Sequence, residues 1–106
     1  MILIICTLIN STLFKRLLEY HKVDYLGVAF TDEGIQLRNT NIKLPIIVMN
    51  PEPGSFRVMI AHRLEPEIYS LKELELFKNT LLKSGENHYP IHLKIDSGMQ
   101  IGRAHV

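Results

Sequence analysis

A chain of 106 residues holds one small domain or a piece of a larger one. Twelve basic against eleven acidic residues leave a formal charge of +1, too balanced to point to a nucleic-acid or other polyphosphate partner. The lone cysteine, Cys6, closes no internal disulfide and has no neighbour at metal-ligand spacing, which fits a reducing cytoplasm.

In chain order, residues 1–9 are apolar but carry no charged leader and no small-residue cleavage site. They also fall far short of the roughly 20 residues that a membrane span needs. They read as a buried strand, with no membrane role. Residues 12–21 follow as a helix that buries Leu13, Leu17 and Tyr20, with its cap in 10–12. Strand-like runs then begin near Val23, Pro45, Glu67 and Pro90, every 22 to 23 residues. Between them Thr31-Asp-Glu opens one helix, 55–62 forms a shorter one, and 71–83 is the clearest. There Ser70 and Glu73 make a capping-box pair, Leu71, Leu74, Phe77 and Leu81 recur on one face, and Gly85 supplies a terminator. This alternation predicts parallel strands near 23–30, 45–50, 66–70 and 90–95, with right-handed crossovers and helices on one face.

The last of these strands is the most informative. Alternation points Ile91, Leu93 and Ile95 one way and His92, Lys94 and Asp96 the other. An apolar row toward a helix layer, with polar groups at the strand's C-terminal end, is what a barrel or open α/β sheet presents where it holds a ligand. Lys94 either reaches water as a strand-end lysine or serves that polar face, and its inward phase favours the second. His88 and His92 have helical ligand spacing, but Pro90 between them makes the segment a strand and argues against a metal site. Asp32 and Glu33 lie in a first helical turn, where acids serve the helix dipole. No Gly-rich phosphate loop, Gly-x-Ser-x-Gly elbow or Cys/His nucleophile arrangement occurs.

Leu93-Lys-Ile-Asp-Ser-Gly-Met99 resembles the fifth-strand motif of the bacterial alanine racemases, where Leu-Lys-hydrophobic-Asp-Thr-Gly-Met is usual. Upstream and in the same order, Val23-Asp-Tyr-Leu-Gly-Val-Ala-Phe-Thr-Asp-Glu-Gly34 with Leu37-Arg38 resembles the second strand and its helix. Pro45-Ile-Ile-Val-Met-Asn50 resembles the third strand and Glu67-Ile-Tyr-Ser70 the fourth. The Asn50-Pro-Glu-Pro and Leu64-Glu-Pro-Glu-Ile-Tyr-Ser wording is similar to the subgroup often fused to the muramoyl-tripeptide D-alanyl-D-alanine ligase. The resemblance implies an α/β fold, a partial TIM (β/α)8 barrel of about four to five parallel strands with helices on one face. Residues 1–99 are then an incomplete N-terminal barrel domain with an atypical start over 1–12.

For the parent protein the resemblance implies a cytoplasmic homodimer that interconverts L- and D-alanine for peptidoglycan synthesis, with pyridoxal phosphate as cofactor. At the position of Lys94 the family's lysine is commonly carbamylated. The resulting anion orients an arginine seven residues further on, which hydrogen-bonds the cofactor's phenolic oxygen. Ile47 matches an aliphatic position that packs against the cofactor ring, and it reads equally as a barrel-core isoleucine. The lysine that holds the cofactor covalently, and a tyrosine after it, count back to Leu3 and Thr7. Neither is present, so no catalytic residue is expected in this chain and the piece alone is expected to be inactive. The arginine position is Ile101. Residues 101–106 correspond to the codons ATC GGA AGA GCA CAC GTC, which open a common sequencing adapter, so 100–106 is expected to be a non-native tail. Two alternatives stay open: a noncatalytic small α/β binding or scaffold protein, and another pyridoxal-phosphate barrel protein.

Overall fold

A computed structural model of the protein describes residues 2–4, 22–94 and 100–106. The strands are β1 (Ile2–Ile4), β2 (Tyr25–Val28), β3 (Ile46–Val48), β4 (Leu64–Ile68), β5 (Pro90–Lys94) and β6 (Gln100–His105). The helices are α1 (Thr31–Asn39), α2 (Phe56–Ala61, entered through a 3-10 turn at Pro53–Ser55) and α3 (Leu71–Lys83). The strands lie side by side in sequence order, and β1 through β5 are mutually parallel. The predicted parallel strands are therefore all present, with Ile2–Ile4 as the strand expected from the first run. The expected helix over 12–21 lies outside the described residues.

Alternation along each strand sorts the side chains into two layers. Leu26 and Val28, Ile46 and Val48, Leu64 and Ile68, and Ile91 join Phe56, Met59 and Ile60 of α2 and Phe77 and Leu81 of α3 in one apolar cluster. Ile35 and Leu37 of α1 pack against the same cluster, so the three helices among the described residues cover one face of the sheet. Phe77 is at its centre, edge-on to Phe56 at 5.0 Å and to Tyr89 at 5.6 Å between ring centroids, the arrangement that aromatic quadrupoles favour. A sheet wound in sequence order with every helix on one side is a run of a (β/α)8 barrel. A doubly wound sheet reverses its strand order and covers both faces.

Local chemistry explains the helix ends. Ser70 caps α3 by accepting from the Glu73 N–H at 3.2 Å. Past the other end, Gly85 takes φ +74°, and the Glu86 N–H returns to the Leu81 carbonyl at 3.0 Å. In α1, the Glu33 carboxylate reaches back to the Phe30 N–H at 2.9 Å, so this acid closes a helix N-terminus as its sequence position implied.

Two features differ from the sequence expectation. First, β4 begins at Leu64 rather than near 66, because Leu64 is fully buried in the helix-side core and pairs with Ile46. Pro66 within it has no N–H to give, and the β4–β5 ladder starts only at Glu67. Second, residues 100–105 form β6, which runs antiparallel to β5. Such a return strand satisfies the backbone groups that β5 would otherwise present at a sheet edge.

Candidate functional site

The strand face away from the helices carries the polar residues. Gly27, Ile47 and Glu65 are register partners across β2, β3 and β4, one step out of phase with the core residues Leu26, Ile46 and Leu64. On β5 the same phase holds His92, the partner of Glu67, and then Lys94. The sequence-predicted residues Ile47 and Lys94 thus share the inner face, with β4 between their strands. Ile47 is buried outside the helix-side cluster, and Lys94 is half-buried. Leu93 packs with the helix-side core, as the two-residue period required. Ile95 and Asp96 lie outside the described residues.

Tyr25 of β2 meets His92 of β5 edge-to-face, their ring centroids 5.9 Å apart. Three strand spacings along a flat sheet amount to about 14 Å. Contact across two intervening strands therefore requires the sheet to curl toward its polar face, as it does in a barrel.

His92 Nε2 stands 2.8 Å from Glu65 Oε1, with both residues almost fully buried. Pairing is what allows such groups to be buried, since an isolated charge there costs several kcal/mol. The sequence reading placed His92 on this face and missed Glu65. A signal was available: β4 carries acids at 65 and 67, two apart, and β5 carries basic groups at 92 and 94, also two apart. The inner face is consequently polar over β4 as well as β5, because alternation in Leu64-Glu-Pro-Glu-Ile leaves the acids no other side.

Toward the strands' C-terminal ends, Tyr69 donates its hydroxyl to the Met49 carbonyl at 2.7 Å and has Glu67 Oε2 at 3.3 Å. Lys94 Nζ lies over its ring, 5.6 Å from the centroid. Burial, together with Glu67 and Glu73, raises the Tyr69 pKa and keeps the phenol protonated at neutral pH. Among the described residues no three His, Cys, Asp or Glu side chains cluster as metal ligands, and no helix is long and apolar enough to cross a membrane.

A curled parallel sheet in sequence order, helices outside and charged residues inside, defines a partial (β/α)8-barrel domain. The profile of the alanine racemase N-terminal domain matches residues 12–104, and the chain belongs to that family. Alanine racemase of Helicobacter acinonychis (strain Sheeba) is 41% identical over 76 residues, which are 71% of this chain and 20% of that protein. Alanine racemase 1 of Caldanaerobacter subterraneus subsp. tengcongensis is 34% identical over 91 residues, 85% of this chain and 23% of its own length. The solved alanine racemase of Clostridium difficile 630 superposes with a TM-score of 0.74 at 37% identity, covering 85% of this chain and 24% of that one. The chain thus spans about a fifth of the length of the first relative and about a quarter of the solved structure.

Proposed function

We propose that this chain is a slice of the cofactor barrel of an alanine racemase that interconverts L- and D-alanine for peptidoglycan synthesis. The parent would be a cytoplasmic homodimer. The observation that carries the reading is the family match over most of the chain, with Ile47 and Lys94 on one inner face. In such an enzyme pyridoxal phosphate takes up the electron pair left when the α-proton of alanine is removed.

The residues of this slice fit that cofactor only in part. Ile47 offers an apolar wall for its ring, and Lys94 stands at the position where the family's lysine is carbamylated. The three residues of β1, Ile2, Leu3 and Ile4, include no amine to hold it covalently. No catalytic step is therefore assigned to this chain, and we propose that it is inactive by itself. We propose that 100–106 is a non-native tail: the antiparallel course of β6 is unlike the all-parallel order of a complete barrel, while the family profile itself runs on to residue 104.

Two measurements test the proposal. Extending the genomic sequence on both sides should reveal a lysine-bearing first strand upstream and a β domain downstream. Stop codons closely flanking the frame would overturn the racemase reading in favour of a small binding protein. Incubation with pyridoxal phosphate, borohydride reduction and peptide mapping should give no stoichiometric label at any one lysine. Stoichiometric labelling of one lysine, whether Lys94 or another, would show that the covalent cofactor position has been misplaced.

A further inference from the structure

Three elements converge where the inner face reaches the strands' C-terminal ends. Tyr69 follows β4 directly and precedes the Ser70 cap of α3, so its backbone is held from both sides. The β4–β5 register pairs Ile68 with Leu93, which makes Tyr69 and Lys94 the next cross-strand neighbours on the inner face. The Tyr69 hydroxyl reaches past the strand to the Met49 carbonyl just beyond β3. That bond anchors the far end of the side chain and so fixes the direction in which the ring extends. Lys94 Nζ, 5.6 Å from the ring centroid, lies within the range at which an ammonium is attracted by an aromatic face.

We propose that Tyr69 is a positioning residue for Lys94: its ring, pinned to β3 through the hydroxyl, is the platform that sets where the Lys94 amine stands at the barrel mouth. The platform holds the unmodified ammonium, and for its functional meaning the proposal rests on the reading of Lys94 as the family's modified lysine. Glu67, 3.3 Å from the Tyr69 hydroxyl, adds negative charge on the same face. The geometry also explains why the residue is aromatic. An aliphatic side chain could fill the space, but it could neither bond the Met49 carbonyl nor attract a cation.

The test is 13C reductive methylation of the lysines in the full chain, with the Lys94 methyl resonance assigned through Lys94→Arg. In the unsubstituted chain that resonance should be displaced upfield of the other lysines by the ring current of Tyr69. In Tyr69→Leu it should fall back among them, and in Tyr69→Phe, which keeps the ring and loses the hydroxyl bond, it should move only part of the way. A Lys94 signal that starts among the exposed lysines, or that stays displaced in Tyr69→Leu, overturns the proposal. Should Tyr69→Leu not fold, an unchanged signal in Tyr69→Phe refutes the hydroxyl pin. A separate arm adds 13C-bicarbonate. There the neutral amine bonds to the carbon of carbon dioxide, one C=O pair becomes a carboxylate lone pair, and a proton leaves to solvent. A carbamate signal that disappears in Lys94→Arg supports the modified-lysine reading. A weak or absent signal is expected in this chain, where Ile101 stands at the arginine position, and the methyl shift judges the platform independently.

Discussion

Replacing Arg38 should loosen the frame that carries the inner face. At the end of α1 its Nε donates to the His62 carbonyl at 2.8 Å, Nη1 to those of Ile42 and Leu44 at 2.8 and 2.7 Å, and Nη2 to that of Arg63 at 3.0 Å. One guanidinium thereby ties the loop that leads into β3 to the loop that leads into β4, the strands bearing Ile47 and Glu65. Arg63 takes φ +56°, an uncommon conformation for a residue with a β-carbon, and its carbonyl is among those held. Burial lowers the Arg38 pKa while Tyr89 and Glu65 oppose the shift, and a guanidinium remains cationic in the neutral range. Hydrogen bonds to a charged donor contribute about 1.5–3 kcal/mol each. Loop carbonyls regain water once the side chain is truncated, so Arg38→Ala should cost about 3 kcal/mol rather than the sum of the four. With a urea slope of about 1.5 kcal/mol per molar, the unfolding midpoint should fall by about 2 M. Arg38→Lys keeps the charge without the planar fork and should recover less than half of the loss. Urea titration followed by far-UV circular dichroism measures both. An Arg38→Ala midpoint within about 0.3 M of the parent would refute the clamp, and a fully stable Arg38→Lys would refute its dependence on the fork.

The same titration tests the other parts of the frame. Tyr89, buried with its hydroxyl 2.8 Å from the Leu64 carbonyl, has its pKa raised by burial above the ordinary 10.0. Above that pH the unfolded chain releases the proton while the folded one retains it, so stability should fall by about 1.4 kcal/mol per pH unit, and Tyr89→Phe should reduce that slope. Glu65→Gln and His92→Gln should be non-additive by about 1–3 kcal/mol in a double-mutant cycle, and simple additivity would mean that the pair is not coupled. Ser70→Ala should cost about 1 kcal/mol through loss of the α3 cap; no change in the midpoint would show the cap to be dispensable. With β1 and β6 as its two sheet edges, the isolated chain should associate as its concentration rises, whereas a monodisperse monomer at all concentrations by light scattering would contradict this.

Local pattern was enough to determine the order and direction of β1 through β5, though not the antiparallel return of β6. A regular spacing of strand-like runs with helical stretches between them prescribes a parallel βαβ sheet. Ser70, Glu73 and Gly85 mark the ends of α3 because caps act within a few residues of themselves. The two-residue period likewise places Lys94 opposite Leu93, whichever strand lies alongside. Tertiary structure alone decided which polar groups meet. Glu65 finds His92 at a separation of 27 residues, and Tyr25 reaches His92 only because the sheet curls. The four carbonyls gathered by Arg38 come from two separate loops and carry no side-chain signature at all. Periodicity tells a residue which face it occupies; register and curvature, set by the packing of the helices on the other side, choose its neighbours there.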